Sequence, residues 1–316
     1  MDVCHSADIS NVTSYDAMTV AIVTFEAFAG MWINALIVSV ICVAWIKKKT
    51  LNSNEKILLF LGCSRFWYLC LAWVNYFLEV IYPNYFYVHS IFPLVQSAES
   101  FFNCSNLWVS ACLSVFYCIK IANFRNSFFI YLKVKIDRMV PWLLLGSVLL
   151  SLLIGILVCD VAGKALSKYH NLTCQGIIWK ANIGIDIYLP PNYAIVAFLF
   201  AASFMAVMFP ALLLLFSLWR HKHNMETNST KDLRVDAHIK AMKSILSLFV
   251  ICNIHFICFI LTLIYETKGQ DNVIFLISVF LYAFPGVHSV ILIFSNPRLE
   301  NTVRIPAWVK CKVCMK

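Results

Sequence analysis

Apolar residues in this chain gather into seven long runs, near residues 19–46, 57–82, 91–121, 139–159, 192–219, 241–265 and 273–295, separated by shorter polar stretches. A helix rises about 1.5 Å per residue and the hydrocarbon core of a bilayer is about 30 Å thick, so about 20 apolar residues make one crossing. Each run meets that length. Helix is the required form, because backbone groups in lipid must bond within their own segment, and the two-residue alternation of a barrel strand is absent. The pattern predicts an all-α membrane protein, a seven-transmembrane helix bundle forming one domain over 1–316 with a short tail, 296–316. Trp45, Trp108, Trp142, Trp219, Tyr82 and Tyr265 mostly fall near the ends of the runs, where amphipathic rings favour the headgroup layer.

Positive charge sorts the connections into two kinds. Of 25 Lys and Arg residues, 20 lie in four clusters: Lys47, Lys48, Lys49 and Lys56; Lys120, Arg125, Lys133, Lys135 and Arg138; Arg220, Lys222, Lys231, Arg234, Lys240 and Lys243; and Arg298, Arg304, Lys310, Lys312 and Lys316. The alternate gaps hold only Lys164, Lys168, Lys180 and Lys268. Cationic loops stay in the cytoplasm, so the expected topology has the N-terminus outside and the C-terminus cytoplasmic. The first 17 residues lack Lys and Arg, hence the basic flank of a cleaved signal peptide, and the first span is expected to target the chain.

Composition agrees with a multi-pass membrane protein. The chain is 61% hydrophobic and 13% charged, against roughly 45–50% apolar in soluble domains, and its mean hydropathy is +0.78. The net charge of +9 is spread over loops facing anionic lipid rather than forming a patch on a soluble domain, so membrane lipids, not nucleic acid, are the expected partners. Most of the 13 cysteines lie inside apolar runs as small packing residues; Cys4 and Cys174 alone read as extracellular.

Polar residues inside the runs are the candidate chemistry, since ionisable groups at membrane depth are costly and usually functional. Glu26, Glu79 and Glu99 all fall in outer halves. With Asn75, Gln96, Asn103 and His255 they describe a polar, acid-edged cavity suited to a small organic ligand, including a cation, arriving from outside. Glu26 and Glu79 read equally as groups facing water or bonding one neighbouring helix. Glu99 and Asn103, spaced i,i+4, share one face of the third helix. Arg65 lies about 14 Å into the second span by helical rise and needs a partner there. Asn34 and Ser289 lie at comparable depth, predicting a structural polar clasp, with a switch as the other reading.

Enzyme chemistry has no support: there is no H-E-x-x-H, no G-x-S-x-G, no phosphate-cradling glycine loop, and no lysine in the seventh span for a Schiff base. No cofactor and no metal site is expected. Cys311 and Cys314 in the basic tail suit palmitoylation, half a zinc site, or unmodified thiols. Of the N-x-S/T sequons, Asn11 and Asn171 fall on the lumenal side and are expected to carry glycans; Asn228 and Asn103 are expected to be bare.

Several stretches together resemble the bitter taste receptors, the taste receptor type 2 family of seven-helix G-protein-coupled receptors. The most specific is Leu113 to Phe124, LSVFYCIKIANF, followed by FIYLK from Phe129 to Lys133, standing where other receptor classes carry an acidic-arginine-aromatic triplet. Ser64-Arg65, FSLWRH ending at His221, HIKAMK from His238 to Lys243, and HSVILI from His288 with Asn296 and Leu299 add to it. The resemblance implies sensory transduction: small bitter ligands bound in an outer-half pocket and a heterotrimeric, gustducin-like G protein engaged inside. It matches Asn103 to a ligand-contacting position, with Glu99 a turn outward, and brings His255 and Ser278 near lining positions. On that reading the expected coupling surface includes Tyr117, Lys120, His221, His238, Lys240 and Lys243, with contact to anionic lipid headgroups as the other reading of its cations. Relatives commonly have proline near position 203, where this chain has Ser203 and carries Pro210 two turns inward, so the kink of the fifth span is expected to differ. A pheromone-type receptor is the nearest rival reading. A small-solute transporter or channel is the rival from another class, needing a polar path through an inner half that offers chiefly Arg65.

Overall fold

A computed structural model describes residues 14–82, 86, 91–122, 126–170, 192–226, 233–266, 271–296 and 299–302. They form seven helices: α1 (Ser14–Lys48), α2 (Ser53–Ile81), α3 (Ile91–Ile121), α4 (Ser127–His170), α5 (Asn192–Glu226), α6 (Leu233–Glu266) and α7 (Asp271–Ser295). Each contains a stretch long and apolar enough to cross a membrane, and no strand occurs among the described residues. Residues 299–302 are again helical, with Leu299 buried in the core.

Several helices outrun their apolar stretches. The fourth run, near 139–159, sits inside a helix of 44 residues. Ile136 before it packs into the core with Ile57, Leu61 and Leu113, and Ala162, Ala165 and Leu166 beyond it pack on Phe86 and Phe92. Helix continues past the hydrocarbon edge because tertiary contacts, not lipid alone, cover its apolar face. Between α1 and α2 the chain turns sharply: Lys49 takes a left-handed conformation (φ 56°) just past the last turn of α1, and its N–H donates to the Trp45 carbonyl at 2.7 Å. The Asn52 N–H then donates to Glu55 Oε2 at 3.0 Å, fixing the start of α2.

Packing closes the ring. α1 lies between α2 and α7, α7 meets α6, α6 meets α5, and α5 meets α3, which also touches α2 and α4. α3 is therefore the central helix, with 67% of its most apolar stretch buried against 17% for α6 among the described residues. Lipid supplies no hydrophobic drive between helices, so small residues and hydrogen bonds set these contacts. At Gly155 of α4, the Ser97 hydroxyl of α3 donates to the glycine carbonyl at 2.8 Å, and a Cβ would fall 3.3 Å from Phe101 Cβ. Gly30 of α1 and Gly286 of α7 touch backbone to backbone: a Cβ on Gly286 would lie 3.3 Å from Gly30 Cα. Pro210 stands inside α5, and Ser114 of α3 donates to the Val207 carbonyl beside it at 3.0 Å, satisfying backbone near the position the proline disturbs.

Because neighbouring helices run in opposite directions, Lys47 and Lys48 of α1, Lys56 of α2, Lys120 of α3 and Lys133 of α4 collect at one end, the basic end. Glu26, Glu79 and Glu99 lie in the opposite half.

Candidate functional site

In the acidic half, α2 and α3 form a polar patch. The Asn75 amide nitrogen donates to Glu99 Oε2 at 2.7 Å and to Gln96 Oε1 at 3.1 Å, so three of the residues expected to meet a ligand are in direct contact. Glu79, one turn along α2 from Asn75, lies within electrostatic range of Glu99, as do Tyr68 and Tyr282. The Tyr282 hydroxyl donates to the Ala72 carbonyl at 3.0 Å and ties α7 to this patch, its ring 6.2 Å from that of Tyr76. Two acceptors here are unmet: Oδ1 of Asn75 and Oδ1 of Asn103 are buried and receive no hydrogen bond from the protein. Buried amide oxygens normally have a donor, so the patch is short of N–H and O–H groups.

His255 stands apart from this patch. With Leu107, Ser203, Phe204, Cys252 and Phe259 it lines a void of about 10 Å³ between α3, α5 and α6, on the order of the space one water needs. Stacked aromatic pairs close it: Phe200 on Phe259 at 4.6 Å between centroids and Phe204 on Phe256 at 4.3 Å. The patch and the void are linked along α3, where Glu99, Asn103 and Leu107 follow at i,i+4 spacing on one face. Ser278 is half-buried on α7, one turn from Tyr282. Glu26 is half-buried on α1, with Oε2 meeting no donor.

At mid-depth Arg65 is 3% exposed and joins four helices. Its Nη1 donates to Ser289 Oγ at 2.9 Å, and that hydroxyl donates onward to Asn34 Oδ1 at 2.7 Å, so Asn34 reaches the guanidinium only through Ser289. Asn34 in turn donates to the Gly30 carbonyl at 2.8 Å. Two partners lie beyond the expected Asn34 and Ser289: Arg65 Nε donates to Asn106 Oδ1 of α3 at 2.9 Å, and Nη2 donates to His288 Nδ1 of α7. Arginine only donates, so His288 must present an unprotonated Nδ1 and carry its proton on Nε2. A parallel bond joins Ser64 and Ser105, 3.0 Å apart. All these acceptors are neutral. Ion pairs elsewhere among the described residues include Lys120 with Asp137 and Lys164 with Asp160.

At the basic end Tyr117 packs between the two inner clusters of apolar side chains, against Phe116 and near Asn54. Lys120 is held by Asp137 of α4 at 2.7 Å rather than standing free. His221 lies on α5 and His238, Lys240 and Lys243 on α6. Asn11, Asn171, Cys311, Cys314, Cys4 and Cys174 lie outside the described residues.

Asn106 does carry a sequence signal: it stands at i,i+3 from Asn103, a second amide on a helix rich in Ser and Cys. Tyr282 likewise lies one turn from Ser278. The aromatic stacks between α5 and α6 had no signal beyond Phe abundance.

Compared with known proteins, residues 12–310 match the family described as taste receptor protein (TAS2R). The chain is 29% identical over 307 residues to a Homo sapiens protein named taste receptor type 2 member 9, covering 95% of this chain and 96% of that one. It is 31% identical over 282 residues to taste receptor type 2 member 2 of Homo sapiens, covering 88% and 92%. With taste receptor type 2 member 114 of Mus musculus it shares 29% over 305 residues, 95% and 96% of the two chains.

Proposed function

The chain belongs to the TAS2R family of taste receptors, and from that premise we propose how this bitter taste receptor receives its ligand and passes the signal on. It is a multi-pass G-protein-coupled receptor of the plasma membrane and not an enzyme. In our reading the basic end faces the cytoplasm, by the retention of cationic loops, and the acidic half opens outward.

The ligand is a small bitter molecule carrying a protonated amine or several N–H donors. One observation carries this reading: Asn75 and Asn103 hold buried oxygens with no donor, beside a Glu99 carboxyl whose hydrogen bond comes from one amide. A cationic nitrogen entering there satisfies both oxygens and compensates the acid, at a depth where unmet polar groups cost about 1–3 kcal/mol each. Asn75, Gln96, Glu99, Asn103 and Glu79 form the polar wall in this reading, with His255 and Ser278 toward the α5–α6–α7 side.

Coupling follows from the next turn of α3. A ligand bulkier than the small void must part the Phe200–Phe259 and Phe204–Phe256 stacks to reach His255. Those stacks tie α6, the least buried of the seven helices among the described residues, to α5. Ligand shifts the equilibrium because it contacts the parted arrangement better than the closed one. Swinging of the α6 inner end then presents Tyr117, Lys120, His221, His238, Lys240 and Lys243 to a gustducin-like G protein.

The test is a pair of dose-response curves in cells bearing a promiscuous G protein, using a bitter panel that includes matched cationic and neutral compounds. Glu99→Gln is expected to raise the half-maximal concentration about tenfold or more for the cations and less than threefold for the neutrals. Equal shifts would make the carboxylate structural and sink the amine assignment.

A further inference from the structure

The start of α4 carries an exposed face that the receptor mechanism above does not use. Ile136 and Val140 turn inward to the core, while Tyr131, Val134, Lys135 and Arg138 are exposed on the opposite side. At about 100° per residue, Tyr131, Val134 and Arg138 fall on the same stripe, about 60° wide, as Leu145, Leu149 and Ile156. Those last three are exposed apolar residues within the fourth apolar run, so the stripe faces lipid. Lys135 borders it, its Nζ donating to Tyr131 Oη at 2.5 Å and lying 4.4 Å from that ring's centroid.

The helical rise places the cations by depth. Counted from Met139, where the run begins, Arg138 stands about 1.5 Å and Lys135 about 6 Å beyond the hydrocarbon edge, within the headgroup layer. The one acid of this segment, Asp137, is turned to Lys120 of α3 and leaves both cations uncompensated on the lipid side. Aliphatic and aromatic surface, two cations and headgroup depth on one lateral stripe complement an anionic amphiphile.

We propose that Tyr131, Val134, Lys135 and Arg138 form a binding site for the headgroup and upper acyl chain of an anionic phospholipid of the inner leaflet. The leaflet assignment rests on the topology proposed above, whereas the site itself does not. A G-protein contact fits this face less well, because the stripe points away from the cleft between α3, α5 and α6.

The experiment uses the full-length receptor in phosphatidylcholine nanodiscs titrated with a headgroup-labelled phosphatidylinositol bisphosphate and read by energy transfer to a dye on the receptor. Nanodiscs offer both leaflets, so the reading is independent of orientation, and epitope tags on the two termini in intact cells report the topology separately. At roughly fivefold per cation, Lys135→Gln with Arg138→Gln is expected to weaken lipid binding about 25-fold. Lys47→Gln with Lys48→Gln, an equal charge loss at the same end, is expected to change it less than threefold, and Lys135→Arg with Arg138→Lys to keep it. Equal losses in the two neutralised pairs would reduce the effect to diffuse charge and overturn the site. Unchanged lipid affinity together with lost activation of purified G protein in pure phosphatidylcholine would overturn it in favour of a protein contact.

Discussion

Replacing Gly286 by valine tests whether the glycine contact between α1 and α7 sets the geometry of the Arg65 clasp. The Cβ alone would sit 3.3 Å from Gly30 Cα, a backbone atom that cannot swing aside, so the helices must part by a few tenths of an ångström. Two further methyls raise the separation to about 1 Å, an overpacking that costs about 1–3 kcal/mol. Ser289 lies one turn away, and its 2.7 Å bond to Asn34 stretches beyond hydrogen-bonding range under that displacement. Its loss adds about 1 kcal/mol, for a sum of about 2–4 kcal/mol. Thermal inactivation of purified receptor in one detergent, ranked as Gly286→Val, Ser289→Ala and the double variant, separates the two parts. If the glycines act through the clasp, the valine costs about 1 kcal/mol less in the Ser289→Ala background than alone. Strict additivity, or a valine variant as stable as wild type, would refute the reasoning. Gly30→Ala serves as a contrast, since its Cβ meets the mobile end of Leu69 at 2.6 Å, which can rotate away.

Arg65→Lys should be poorly tolerated, because one ammonium cannot span the acceptors on Asn106, His288 and Ser289 from a fixed fork; surface expression is expected to fall severalfold, and a normal level would show the clasp to be dispensable. Phe259→Ala removes one α5–α6 stack worth about 0.5–1.5 kcal/mol, so ligand-free signalling per surface receptor should rise about two- to tenfold, while an unchanged baseline would disconnect the stack from activation. Asp137→Asn breaks a half-exposed ion pair and should cost less than about 1 kcal/mol in the same stability ranking, with the difference vanishing at high salt. Asn171→Gln is expected to abolish a glycan mobility shift and lower surface delivery; a persisting shift would move the sugar to Asn11.

The helices were legible because lipid imposes a length on each crossing: six of the seven apolar runs lie within a helix, and the second passes the end of α2 by one residue, Tyr82. Their ends were less legible, as α4 shows: Ile136 and Ala162 extend it through contacts with other helices, which no local pattern announces. Arg65 advertised its need for partners by being an arginine in an apolar run, and Ser289 and Asn34 could be chosen by depth. Asn106 and His288 depend on helix rotation, which depth alone does not specify. The same limit explains the expected ligand cavity. Asn75, Gln96 and Glu99 meet, whereas His255 faces a separate void because α6 turns that side toward α5. The pairing of Lys120 is not visible in sequence, since its counterion, Asp137, is 17 residues away on the next helix.

Holding a guanidinium among neutral acceptors at mid-depth also exposes the receptor to the electrical field of the cell. A full crossing of one charge is worth about 2.3 kcal/mol per 100 mV, so an axial shift of about 3 Å, a tenth of the hydrocarbon thickness, couples to only about 0.2 kcal/mol. Three bonds from α3 and α7 hold the group, and Ser289 ties it onward to Asn34 of α1, which keeps such excursions short. Depolarisation therefore biases this receptor's balance of states by less than about twofold, leaving its output governed by chemistry arriving at the membrane rather than by the voltage across it.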